Sequence, residues 1–179
     1  MKNVHLLPTE KSSRLGYLTK KGKEVFKDLR LFNKPMPNIL DSENQHIYIT
    51  SDEEIKYRDW YLDTFNTQRI KANEFSDHKH YGNSCKKIIL TTDQDLISDG
   101  VQAIDDEFLE WFVKNPSCEE VEVKHFGTCC GNQSITQCIN CEKYNPVYKI
   151  IIPQEEPKQE TLNKINNMNE EIKKQINLL

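Results

Sequence analysis

Apolar and polar positions alternate over several short stretches of the chain, and prolines, glycines or acidic runs end each stretch. A two-residue period marks a strand with one wet face. Val4 to Leu7 reads as a first strand, stopped by Pro8. Arg14–Leu18 and Val25–Phe26 flank Thr19-Lys20-Lys21-Gly22-Lys23, a hairpin turn in which Gly22 supplies the positive φ. The alternative, a short helix from Thr19 through Leu31, is weakened by Gly22 in its first turn. Asn33 to Glu43, with two prolines, reads as a loop. His46-Ile47-Tyr48-Ile49 is a β-branched and aromatic strand. It runs into Ser51-Asp52-Glu53-Glu54, a capping box predicting one or two helical turns before Asp59-Trp60-Tyr61-Leu62 resumes an extended pattern. Residues 64–84 are polar and loop-like, with a further hairpin around Gln68-Arg69-Ile70.

Lys87-Ile88-Ile89-Leu90 is the clearest strand, and it too enters a capped acidic turn, Thr91-Thr92-Asp93-Gln94-Asp95-Leu96. The segments 49–55 and 90–96 share one grammar of strand, hydroxyl cap, polar run and aliphatic residue, an echo too short to establish a repeat. The spacing predicts a helix from Asp105 to about Lys114. Asp105 caps it, Ile104, Phe108, Trp111 and Phe112 share one face, and Pro116 stops it. Val121 and Val123 mark another strand, and Tyr148 to Ile152 a last one. Leu162, Ile165, Met168, Ile172, Ile176 and Leu179 fall on one stripe of a C-terminal helix that needs its own domain or a second copy to lie on. The expected fold is α+β: a small twisted antiparallel sheet or partly open β-barrel with one packed amphipathic helix and a C-terminal helical tail. Residues 1–153 form the domain, 154–160 a linker and 161–179 the tail.

Composition adjusts this outline. The 179 residues suit one domain, and 36% hydrophobic residues leave room for a small core with polar appendages. Residues 1–34 hold nine Lys/Arg against three acids, so a basic arm of net +6 precedes a body of −10 within the total of −4. No apolar run approaches the roughly 18 residues of a membrane span, and the start lacks a secretory apolar stretch. The expected location is therefore the cytoplasm, where the six cysteines are thiols or metal ligands rather than disulfides.

His5-Leu6-Leu7-Pro8-Thr9, Ser13-Arg14-Leu15, Ile47-Tyr48-Ile49-Thr50-Ser51-Asp52-Glu53-Glu54-Ile55-Lys56 and Asp59-Trp60 resemble segments of a family of small phage-type proteins from marine and gut phages. The run from Lys87 to Val123 is the longest match, and Tyr148-Lys149-Ile150-Ile151-Ile152-Pro153 closes it. The resemblance covers about half the chain. It implies that 15–44, 63–86 and 125–147 are variable loops on a common scaffold, and that the protein acts inside an infected bacterium. It implies no activity.

Candidate chemistry is sparse. There is no glycine-rich phosphate loop, nucleophile elbow or zinc-hydrolase helix motif. Asp93, Asp95 and Asp99, or Asp52-Glu53-Glu54, could offer oxygen ligands to Mg²⁺, but acids at helix starts are the plainer explanation, as they are for Asp105-Asp106-Glu107. Trp60 could be a stacking platform, although a core tryptophan is the commoner case. His78, His80 and Cys85 make a loose ligand trio. Lys20, Lys21, Lys23, Lys27, Arg30 and Lys34, interleaved with Tyr17, Phe26 and Phe32, could grip single-stranded nucleic acid, against the alternative of a lysine-tipped hairpin that resists edge pairing. The sharpest motif is Cys138-x-x-Cys141, whose spacing suits one tetrahedral Zn²⁺. His125 with Cys129 or Cys130 would complete a structural zinc site, with free thiols at a polar hairpin tip as the alternative. The expected function is a non-enzymatic phage accessory domain that binds a host or phage protein, and the alternative is a small nucleic-acid-binding barrel using the basic arm. A membrane is not an expected partner, and a homo-oligomer through the C-terminal helix is the alternative to that helix docking on its own domain.

Overall fold

The computed structural model describes residues 2–20, 26–38, 42–73, 84–126 and 147–153. Their order is β1 (Val4–Pro8), β2 (Ser13–Lys20), β3 (Phe26–Met36), β4 (Ser42–Ser51), β5 (Trp60–Asp63), β6 (Gln68–Lys71), β7 (Cys85–Thr91), α1 (Gln94–Ser98), β8 (Gln102–Ala103), α2 (Asp106–Phe112), β9 (Glu122–Phe126) and β10 (Val147–Ile151). The described chain is mostly β, with two short helices. An eight-stranded sheet, antiparallel except where β8 joins β7, curls into a half-barrel, and β9 and β10 form a separate two-stranded ribbon.

β4 is the axis of the sheet. Its first half pairs with β2, Leu15 opposite Gln45 and Leu18 opposite Ser42. In its second half Tyr48 and Ile49 pair with His5 and Val4 of β1 and also with Thr91 and Leu90 of β7. Those two strands therefore take opposite edges of β4. Asn44 is fully buried and donates to the carbonyls of Lys11 and Met36, which ties the β1–β2 connection and the end of β3 to the centre. Its side-chain oxygen lies against Gly16, where a Cβ would sit 3.3 Å away, so the strand carries glycine at that point of close approach.

The main core joins Val4, Leu15, Ile47, Ile49, Ile89, Leu90 and Ile150 to Ile104, Phe108, Leu109 and Phe112. Asp105 caps α2 by accepting from the Phe108 amide at 2.8 Å, and Asp93 caps α1 through the Asp95 amide at 3.1 Å. Gly100, at φ +102°, turns the chain out of α1.

Several expectations need correction. Ile88 does not join the α2 core. The register shifts between Ile49 and Thr50 so that Leu90 and Ile88 face consecutive β4 residues, and this bulge turns Ile88 to the other face, beside Tyr48, Leu62 and Leu96. Trp111 is only half-buried. Asn33–Glu43 is not one loop, because β3 continues to Met36 and β4 begins at Ser42. Segment 15–44 thus holds two long strands and the start of a third. Ser51 makes only a local bond to the Glu53 amide, and no helical turn follows it. The linker and the C-terminal helix at 154–179 lie outside the described residues.

Candidate functional site

The ribbon spans the open side of the half-barrel. At one seam, the amides of Asn3 and Val4 donate to the Glu119 carbonyl at 2.9 and 3.0 Å. The Asn3 side chain donates to the Val121 carbonyl at 2.8 Å and accepts from the Val121 amide at 2.9 Å. At the other seam, Gln102 of β8 donates to the Tyr148 carbonyl at 2.7 Å and accepts from the Tyr148 amide at 2.8 Å. The circuit β1–β4–β7–β8–β10–β9 therefore closes on itself, with carboxamide side chains standing in for missing strand pairs. Val121, Tyr148 and Ile150 complete the core from the ribbon side.

A cleft of about 310 Å³ opens at the mouth of this ring, lined by Lys2, Asn3, Thr50–Glu53, Lys86, Ile89, Glu120, Val123, His125 and Tyr148. Its floor is apolar, from Ile89 and Val123, and its rim is charged. The Tyr148 hydroxyl donates to the Glu53 carboxylate at 2.9 and 3.1 Å, and the His125 ring stacks on Tyr148 with centroids 5.1 Å apart. Glu53 also faces Lys87 at 3.6 Å, which pairs with Asp59 at 3.1 Å. Lys86 pairs with Asp52, and Lys2 with Glu119 at 2.7 Å. Behind the rim, His5 sits 3.3 Å from the Thr50 hydroxyl. Burial, aided by Lys2 and opposed by Glu119, pushes its pKa down to about 4. His5 is therefore neutral at pH 7.

A second polar cluster lies across β4. The Tyr48 hydroxyl donates to Asp93 at 2.8 Å and accepts from Arg69 at 2.7 Å, and Arg69 approaches Asp93 at 3.7 Å. Asp93 is only 2% exposed. Burial raises the Tyr48 pKa, so the hydroxyl keeps its proton and the carboxylate its acceptor role. His46, fully buried near the hydroxyls of Thr92 and Ser13, is held neutral by burial. This cluster links β6 and the start of α1 to β4 across the face of the sheet.

The acids read as candidate Mg²⁺ ligands are spread over different tasks. Asp93 and Asp105 cap helices, Asp95 pairs with Lys11, Asp106 with Arg14, and Asp52 with Lys86. Asp99 accepts from Lys71 at 2.8 Å and from the Trp60 indole at 3.1 Å, and these two bonds hold its carboxyl below the usual range. Lys71 lies over the Trp60 ring, 5.8 Å from its centroid, on the face that a stacked base would use. In the basic arm, Lys27 pairs with Glu43 and Arg30 with Asp28, so these cations are already engaged. Among the described residues, no three His, Cys, Asp or Glu side chains gather as a metal site. Of the zinc candidates, His125 lies on β9 in the mouth cleft, while Cys129, Cys130, Cys138 and Cys141 lie outside the described residues, as do His78 and His80. Cys85 and Cys118 are free thiols.

The mouth was not foreseen. Asn3 and Gln102 act on partners 118 and 46 residues away, and such pairings leave no local pattern. No helix among the described residues is long and apolar enough to cross a membrane. Comparison of the chain with family models, with curated proteins and with solved structures finds no match.

Proposed function

We propose that the chain is a non-enzymatic binding domain, a phage accessory protein that receives a segment of a host or phage protein at the barrel mouth, in the bacterial cytoplasm. The observation that carries this reading is the cleft of about 310 Å³ with a rim of weak ion pairs. Barrel mouths are common ligand sites, and this volume is at the small end of ligand clefts. The rim pair Lys2–Glu119 is more than half exposed on both sides, and Asp52, the partner of Lys86, is 60% exposed. Exposed pairs contribute about 0–1 kcal/mol, so an incoming chain can exchange them for its own charges at little cost. Both signs are present, which suits a polypeptide carrying both. Asp52, Glu53 and Glu120 would repel a phosphate backbone.

The test is capture on the immobilised full chain from extracts of phage-infected bacteria, run beside a Lys86→Glu variant whose circular dichroism matches wild type. A protein retained by the wild type and lost with Lys86→Glu is the expected result. Retention indifferent to Lys86 would sink the reading. Salt-sensitive retention of single-stranded DNA or RNA would favour the basic-arm alternative instead.

A further inference from the structure

The ribbon is attached unevenly, and the asymmetry has a direction. Its root is anchored by backbone. The amides of Asn3 and Val4 both reach the Glu119 carbonyl, the Asn3 carboxamide brackets Val121, and Val121 and Ile150 are each 4% exposed. Its outer part turns to solvent. Phe126 and Val147, paired across the ribbon, are 54% and 53% exposed, and Lys124 is exposed beside them. Between the two stands Tyr148, 7% exposed in the main core, and joined to the half-barrel also by hydrogen bonds, two between its backbone and Gln102 and a shared one from its hydroxyl to the Glu53 carboxylate. Both sets converge on one residue, and that residue lines the mouth.

We propose that the β9–β10 ribbon is a gate over the mouth, hinged at Val121 and latched at Tyr148 by Gln102 and Glu53. Releasing the latch swings Val123, His125 and Tyr148 away from Thr50–Glu53 and Lys86, which widens the cleft while the root stays seated. An incoming cationic side chain that takes the Glu53 carboxylate from the Tyr148 hydroxyl would release half of the latch, so binding and opening are coupled. The gate rests on the reading of the mouth as the binding site, but its mechanics are measured with no partner present. Failure to capture a partner would therefore leave the opening standing, and a rigid ribbon would leave the capture result standing.

The experiment is amide hydrogen exchange on the full chain at neutral pH, followed residue by residue. The Tyr148 amide, which donates to Gln102, is the direct reporter. Val123–Phe126 and Val147–Tyr148 are expected to exchange at least about tenfold faster than Ile47–Ile49 of β4, as a local opening does. Gln102→Ala and Glu53→Ala, tested separately, should each accelerate the outer ribbon by up to about tenfold and leave Ile47–Ile49 unchanged, the scale of one or two lost hydrogen bonds. Wild-type ribbon amides as slow as those of β4 would overturn the gate. So would variants in which ribbon and β4 accelerate together, because the ribbon would then open only with the whole fold.

Discussion

Gln102 meets Tyr148 as one strand meets another. Its carboxamide donates to the Tyr148 carbonyl and accepts from the Tyr148 amide, the two-bond exchange of neighbouring strands made by a single side chain. Only Asn and Gln carry both a donor and an acceptor in the spacing of a peptide group. Asn3 does the same for Val121, beside two backbone bonds from the Asn3 and Val4 amides to the Glu119 carbonyl, so carboxamides take part in both seams of the ring and carry the Gln102 one.

The Asn3 seam can be tested with a near-isosteric change. Asn3→Asp keeps an acceptor for the Val121 amide but turns a carboxylate oxygen toward the Val121 carbonyl. The lost bond and the new repulsion are expected to cost about 1–3 kcal/mol. Urea unfolding of Asn3→Asp and Asn3→Ala is the measurement. Equal stability of both variants with wild type would mean that the Asn3 carboxamide contributes nothing.

Asp93 serves three partners at once: the Asp95 amide, the Tyr48 hydroxyl and, at longer range, Arg69. Asp93→Ala loses a helix cap, worth about 1 kcal/mol, and leaves a buried hydroxyl without its acceptor. The expected loss is about 2–4 kcal/mol. Tyr48→Phe, which keeps the ring, should lose about 1–2 kcal/mol. The double variant should fall well short of the sum, because both changes remove the same bond.

The two buried histidines make the fold acid-sensitive. The His5 pKa is lowered from 6.5 to about 4 in the fold, so between those values the unfolded chain binds the extra proton. Stability contributed by neutral His5 is fully present above pH 6.5. It is lost as pH falls toward 4, by about 1.4 kcal/mol per unit and about 3 kcal/mol in all. His46 shifts in the same direction through burial and adds to the loss. Urea midpoints should fall steeply from pH 7 to 4.5, and less steeply in His5→Gln. A flat profile over that range would contradict the burial assigned to both rings.

Strands and caps were legible where the information is local. The short apolar runs in Val4–Leu7 and Lys87–Leu90, the cap at Asp105 and the aromatic face behind it all act within a few residues, and the structure realises them. The barrel-like curl was legible as a class. Two kinds of information were missing. A one-residue bulge opposite β4 moved Ile88 to the other face, and strand periodicity cannot announce a bulge. Ser51-Asp52-Glu53-Glu54 has the letters of a capping box, but Glu53 is drawn to Tyr148 and Lys87, a tertiary pull invisible to a local rule. The mouth cleft draws on five separate stretches of chain, so no motif could have marked it.

Helix α2 offers the clearest contrast between two aromatic neighbours. Phe108 is fully buried and lies between Trp111 and Phe112, with ring centroids 5.7 and 5.6 Å away. Phe108→Ala should cost about 3–5 kcal/mol, the range for deleting a fully enclosed aromatic. Trp111, on the same helix, should not match it. Its ring is only partly covered, and its indole N–H is buried with no hydrogen-bond partner, which offsets part of what the ring contributes. Trp111→Ala is therefore expected to cost about 1–3 kcal/mol, less than Phe108→Ala. The decisive variant is Trp111→Phe. It keeps an aromatic against Phe108 and removes the unsatisfied donor, so the two effects nearly cancel and stability should stay within about 1 kcal/mol of wild type. A loss from Trp111→Phe as large as that from Trp111→Ala would mean that the indole nitrogen makes a bond essential to the fold.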